Sequence, residues 1–116
     1  MVEIKVMVVD DSALVRKLMT ELLNSDPDIT VVAQASDPVF ALEKLKKITP
    51  DVITLDIEMP RMDGVTFLKK LMAENPIPVV ICSSLAESGA KTTIDAMKSG
   101  AVDIITKPRA GVKGFL

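Results

Sequence analysis

The sequence predicts an α/β fold: a doubly wound, five-stranded parallel sheet with helices on both faces. Two observations carry that prediction. Short β-branched runs alternate with longer helical patterns along the whole chain, and four of the five runs are nearly continuous in apolar residues. Parallel strands covered on both faces read in this way, and strand-helix alternation requires right-handed crossovers between them.

The first strand is "IKVMVV" at 4 to 9, which stops abruptly at Asp10 and Asp11. A helix from about 12 to 24 follows, with Leu14, Leu18, Met19, Leu22 and Leu23 taken as one apolar face. Ser12 is its expected N-cap, and "NSDPD" ends it. The second strand is "TVVAQA" at 30 to 35, and Phe40, Leu42 and Leu45 mark a second helix that closes before "ITPD". After "DVITL" at 51 to 55 comes the turn signal "PRMDG", then a third helix carrying Val65, Leu68, Leu71 and Met72. "PVVICS" at 78 to 83 is the fourth strand, and Ile94, Ala96 and Met97 carry a fourth helix that stops at Gly100. "VDIIT" at 102 to 106 is the last strand. The tail "RAGVKGFL" has two glycines and little periodicity. Residues 1 to 108 are therefore expected to form the domain, with 109 to 116 the start of a last helix or a linker toward a further domain.

At 116 residues the chain suits one domain, and 48% apolar with 26% charged residues excludes a disordered tail. A net charge of -2 with scattered Lys and Arg argues against nucleic acid as the main partner. No apolar run approaches the roughly 18 to 20 residues of a membrane span, so no membrane insertion and a cytoplasmic location are expected. There is no histidine, and the single cysteine, Cys82, has no internal partner for a disulfide and is expected to be a buried thiol in the fourth strand. His-based catalytic triads and Cys/His zinc sites are excluded, which leaves Asp, Glu, Ser, Thr and Lys for any chemistry.

In doubly wound sheets, ligands bind beyond the carboxyl ends of the strands. The residues expected there are Asp10 and Asp11 after the first strand, Asp56 after the third, Ser83 and Ser84 after the fourth, and Lys107 after the fifth. Three converging carboxylates repel one another unless a cation compensates them. Oxygen donors without His or Cys favour a hard ion, and Mg²⁺ is the economical choice. Such an ion neutralises an incoming phosphoryl group and lets a carboxylate attack phosphorus. Lys107 would add a second cation from another strand, and the Ser83 hydroxyl would hydrogen-bond the transferred group.

Together, "VVDDSALVRK", "DVITLDIEMPRMDG", "PVVICSS" and "GAVDIITKP" resemble the receiver domain of two-component response regulators across essentially the whole chain. The resemblance implies a flavodoxin-like strand order of 2-1-3-4-5. It implies Asp56 as phosphoacceptor, Asp11 as a direct Mg²⁺ ligand and Asp10 as an acid acting largely through water. Glu58 matches the position that supplies a backbone carbonyl to the metal, Ser83 the switch hydroxyl, and Lys107 the family's lysine, followed by Pro108 in a bond usually held cis. The finer resemblance is to the N-terminal receiver of chemotaxis protein-glutamate methylesterases. It implies a chemotaxis-type sensor histidine kinase as phosphoryl donor and a C-terminal methylesterase domain in cis, restrained until the receiver is phosphorylated. One position departs from the common pattern: Ile104 stands where an aromatic switch residue is frequent.

Other readings predict different behaviour. A stand-alone chemotaxis receiver would share all these site residues. A Mg²⁺-dependent phosphohydrolase with Asp56 as nucleophile would turn over small phosphate esters, but Glu58 stands where that arrangement expects a second Asp, and the chain has no room for a lid. A flavodoxin-type carrier needs a hydroxyl- and glycine-rich phosphate cradle after the first strand, where two carboxylates would repel the flavin phosphate.

Overall fold

A computed structural model of the chain describes residues 3–57, 64–83 and 91–106. Glu58, Ser84, Lys107, Pro108 and the tail from 109 to 116 lie outside these residues, as do Met59 and Met62. The chain alternates through β1 (Ile4–Val9), α1 (Ala13–Asn24), β2 (Ile29–Ala35), α2 (Pro38–Leu45), β3 (Val52–Asp56), α3 (Gly64–Glu74), β4 (Val79–Ser83), α4 (Lys91–Lys98) and β5 (Asp103–Thr106). All strand pairs are parallel, and the sheet runs β2-β1-β3-β4-β5. The predicted fold and strand order are both present. The order reverses at β1 and β3, which is where a ligand crevice opens in such sheets.

The two sheet faces carry different loads. Met7, Val9, Ile53, Leu55, Val79 and Ile81 form the larger core with Ala41 of α2, Phe67, Leu68 and Leu71 of α3, and Ala96 of α4. Val6, Val8 and Cys82 face the other way and pack with Met19 of α1, joined by Val15 and Leu23. Strand residues alternate between faces, and the last four residues of β1, Val6 to Val9, are buried on one side or the other. Cys82 is the buried thiol that its place in the fourth strand suggested.

Three helical faces differ from the expected ones, for a common geometric reason. On α1 the row that packs on the sheet is Val15, Met19 and Leu23, spaced four apart, with Met19 buried and the other two partly so, while Leu14 is 49% exposed. Five residues at about 100° each carry Leu14 well off the line of Met19. On α2, Ala41 is buried, Leu42 and Leu45 pack against the core, and Phe40 is 49% exposed. On α4 the core contact is Ala96, and Ile94 and Met97 point outward. The expected stop of α4 holds: Gly100 has φ 120°, a conformation that suits glycine after a helix end.

At the far edge, Ile104 packs against the larger core, whereas Ile105 faces the α1 side and is 40% exposed. Residue 104 therefore works as a core side chain in β5.

Candidate functional site

The site is built where β1 and β3 end side by side. Val9 and Leu55 are in register, so the next residues, Asp10 and Asp56, sit together at the sheet edge. Asp56 is itself the last residue of β3, paired in register with Cys82, where a position just after the strand was expected. Asp10 and Asp56 are 3% and 2% exposed, while Asp11 is solvent-exposed. One carboxylate oxygen from each of Asp10, Asp11 and Asp56 falls within 4.8 Å of the others.

Asp10 is fixed from several sides. Its backbone N–H donates to the carbonyl of Ala35 at 3.1 Å, which prolongs the β1–β2 pairing by one residue. Its Oδ1 accepts the Ser12 N–H at 2.8 Å, and its backbone carbonyl accepts from Nη1 of Arg16 at 2.7 Å. Ser12 is the predicted N-cap of α1: its extended backbone leads into the helix, and its Oγ accepts the Val15 N–H at 3.2 Å. The corner from strand to helix is thus one hydrogen-bonded unit that carries both Asp10 and Asp11.

Ser83 ends β4 one register step beyond Cys82, is 1% exposed, and pairs with Thr106 across β5. The chain then continues to Lys107, and Glu58 follows Ile57, which directly succeeds Asp56. Of the seven residues expected at the site, Glu58, Ser84 and Lys107 among them, the structure brings Asp10, Asp11 and Asp56 into one cluster and Ser83 to the same edge. Glu58, Ser84 and Lys107 lie outside the described residues.

Two features went unnoticed in the sequence. Arg16 reaches back six residues to Asp10, a contact that spacing alone does not reveal. Asp37, 5% exposed, caps α2 by accepting the Phe40 N–H at 3.0 Å; its signal was the Asp-Pro pair, an N-cap followed by proline in the first turn.

The donor set fits a hard divalent cation. All three groups offer carboxylate oxygen, and ligands on one Mg²⁺ at about 2.1 Å can be at most about 4.2 Å apart. The three oxygens lie within 4.8 Å of one another, so a shift of well under 1 Å suffices to bring them within reach of one ion. Without a cation, two buried carboxylates and a third beside them repel at short range.

Comparison with known proteins agrees with the geometry. A family model described as "Response regulator receiver domain" matches residues 6–113. Over 114 residues the chain is 64% identical to protein-glutamate methylesterase/protein-glutamine glutaminase 2 of Dechloromonas aromatica, covering 98% of this chain and 32% of that protein. It is 61% identical over 113 residues to protein-glutamate methylesterase/protein-glutamine glutaminase 3 of Leptospira interrogans, covering 97% of this chain and 33% of the relative. The chain thus spans about a third of the length of the curated relatives it matches. Among solved structures, the response regulator domain of Thermotoga maritima CheB superposes with a TM-score of 0.85 at 47% identity, covering 95% of this chain and 82% of that one. A chain from the complex of the CheA3 P1 domain with CheY6 of R. sphaeroides gives 0.81 at 38% identity, covering 97% and 88%. No described helix is long and apolar enough to cross a membrane.

Proposed function

The chain belongs to the response regulator receiver domain family, and from that premise we propose that it is a phosphorylation switch with Asp56 as acceptor, controlling a protein-glutamate methylesterase domain in cis. The observation that carries this reading is the clustering of buried Asp56 with Asp10 and Asp11 at the strand ends. The likeness to methylesterase/glutaminase proteins three times as long supports a C-terminal effector after residues 109 to 116.

The donor is a phosphohistidine of a chemotaxis-type sensor kinase, and the setting is the cytoplasm. A carboxylate oxygen of Asp56 attacks phosphorus; the P–N bond breaks as the P–O bond forms, and the imidazole leaves to take up a proton. Asp11 and Asp10 would hold Mg²⁺ with Asp56 and the Glu58 backbone carbonyl, Asp10 largely through water. When bound, that ion supplies positive charge to the phosphoryl oxygens. Lys107, the residue that follows β5 in the sequence, would pair with the phosphoryl group, and the Ser83 hydroxyl would donate to it and move when it arrives, changing the surface offered to the effector. Hydrolysis reverses the state: water attacks phosphorus, and the Asp56 carboxylate leaves. The chain alone catalyses no other reaction.

The test is intact mass after incubation with Mg²⁺ and acetyl phosphate, beside an Asp56→Asn variant. One added phosphoryl group in the parent and none in the variant is expected. A parent that stays unmodified while folded would overturn the reading, and steady turnover of a small phosphate ester would favour a phosphohydrolase.

A further inference from the structure

We propose that Arg16 is a positioning residue for the cation site, acting through the carbonyl of Asp10; the inference rests on the reading of Asp10, Asp11 and Asp56 as that site. Arg16 is tied to the β1–α1 corner twice. Its backbone N–H donates to the Ser12 carbonyl at 3.0 Å as the first turn of α1, and its Nη1 donates to the Asp10 carbonyl at 2.7 Å. The second bond is charge-assisted and partly buried, the class of hydrogen bond that holds geometry most firmly.

The peptide that follows this carbonyl joins Asp10 to Asp11. Holding the oxygen therefore fixes the plane of that peptide, and with it the direction in which the Asp11 side chain leaves the backbone. Asp10 has other restraints, on its N–H and on its Oδ1. Asp11 is exposed, and its placement depends on the corner beneath it. Arg16 thus supplies, from one helical turn away, the rigidity that an exposed ligand cannot provide for itself.

Two effects of the guanidinium oppose each other, and their signs separate them. Because it contacts Asp10 itself, its positive charge lies within about a Debye length, roughly 8 Å, of the acid cluster. As a bare charge it repels a divalent cation, so its removal would tighten binding. As a positioning group it preorganises Asp11, so its removal weakens binding. A charge partly facing solvent is screened, whereas a lost anchor leaves the peptide to rotate; positioning is the effect that wins.

The experiment is calorimetric titration of the chain with Mg²⁺, comparing the parent with Arg16→Met and Arg16→Lys, each checked by circular dichroism. Arg16→Met keeps the apolar stem and loses the donor; its Mg²⁺ affinity is expected to fall about five- to tenfold. Lysine can donate one hydrogen bond to one carbonyl, so Arg16→Lys is expected to stay within about twofold of the parent. At saturating Mg²⁺, acetyl phosphate labelling of Arg16→Met should recover to within about twofold. Unchanged or tighter binding in Arg16→Met, or an equal loss in Arg16→Lys, overturns the proposal. If Arg16→Met does not fold, Arg16→Leu, which likewise lacks a donor, takes its place under the same criteria. Parent protein that binds Mg²⁺ but gains no phosphoryl mass would instead sink the phosphoacceptor reading and leave the Arg16 comparison intact.

Discussion

Gly64 and Ile57 touch backbone to backbone: the Gly64 N–H donates to the Ile57 carbonyl at 3.1 Å, and a Cβ on Gly64 would lie 2.8 Å from that same oxygen. The start of α3 is thereby closed onto the residue directly after Asp56. A methyl group here meets backbone, which cannot swing away as a flexible side chain could. Gly64→Ala is expected to destabilise the domain by about 1–3 kcal/mol, the usual cost of overpacking a buried site. Because Ile57 must move, and Asp56 with it, phosphoryl uptake should slow as well. Urea unfolding and the acetyl phosphate assay check both, and a loss below about 0.5 kcal/mol would mean that α3 absorbs the methyl freely.

If Asp10, Asp11 and Asp56 hold Mg²⁺ as proposed, its binding stabilises the fold by linkage. At a free concentration one hundred times the Kd, the gain is about 2.7 kcal/mol. Parent protein is therefore expected to melt higher with Mg²⁺ than with a chelator. Asp11→Ala, with a ligand removed from the cluster of Asp10, Asp11 and Asp56, should lose most of that increment. Differential scanning calorimetry with and without Mg²⁺ measures it directly; an equal shift in the variant would place the ion elsewhere.

Much of the fold and three of the acids were legible in the sequence because they rest on period and punctuation. The run at 4 to 9 is a strand, and that at 78 to 83 is one from Val79 onward, since nearly all their residues are apolar, and Asp10 and Asp56 stand at strand ends since the apolar runs stop there. Which face of each helix is buried was less legible. Leu14, Phe40, Ile94 and Met97 are as hydrophobic as their neighbours, yet small residues such as Ala41 and Ala96 take the core contacts, because close packing on a sheet depends on shape as well as polarity. Arg16 was illegible for another reason. A side chain bond to a carbonyl six residues back depends on the dihedrals of the corner, which no residue pattern records.

Ser12 separates helix capping from ligand placement. Its Oγ caps α1 through Val15, but the group that holds Asp10 Oδ1 is its backbone N–H, which any residue other than proline provides. Ser12→Ala should therefore cost about 1 kcal/mol of stability, as loss of an N-cap does, while Mg²⁺ affinity stays within about twofold of the parent. Thermal unfolding beside calorimetric titration decides it. A large loss of Mg²⁺ affinity would give the hydroxyl a role in the site itself.

The outer edge of β2 supplies a prediction about association. A sheet edge offers unpaired N–H and C=O groups to any passing strand, and the middle of β2 is apolar. Here the chain occupies several of those groups itself. The Ile29 N–H donates to Asp26 in the preceding turn, the Val31 N–H donates to Oδ1 of Asn24 at 2.8 Å, and Lys44 Nζ donates to the carbonyl of Gln34. The register against β1 also shifts between Val6 and Met7, an irregularity of the bulge kind that spoils a straight template. Asn24 is the last residue of α1 and Lys44 lies in the last turn of α2, so both groups come from helix ends next to the strand. Removing them together in Asn24→Ala with Lys44→Ala should expose the Val31 amide and raise its hydrogen exchange at least tenfold. Concentration-dependent association should appear in sedimentation, because the newly open groups are best satisfied by a second copy of the same edge. Faster exchange without association would mean that the bulge alone suffices to keep strands apart, and unchanged exchange would mean that Asn24 does not cap this edge in solution.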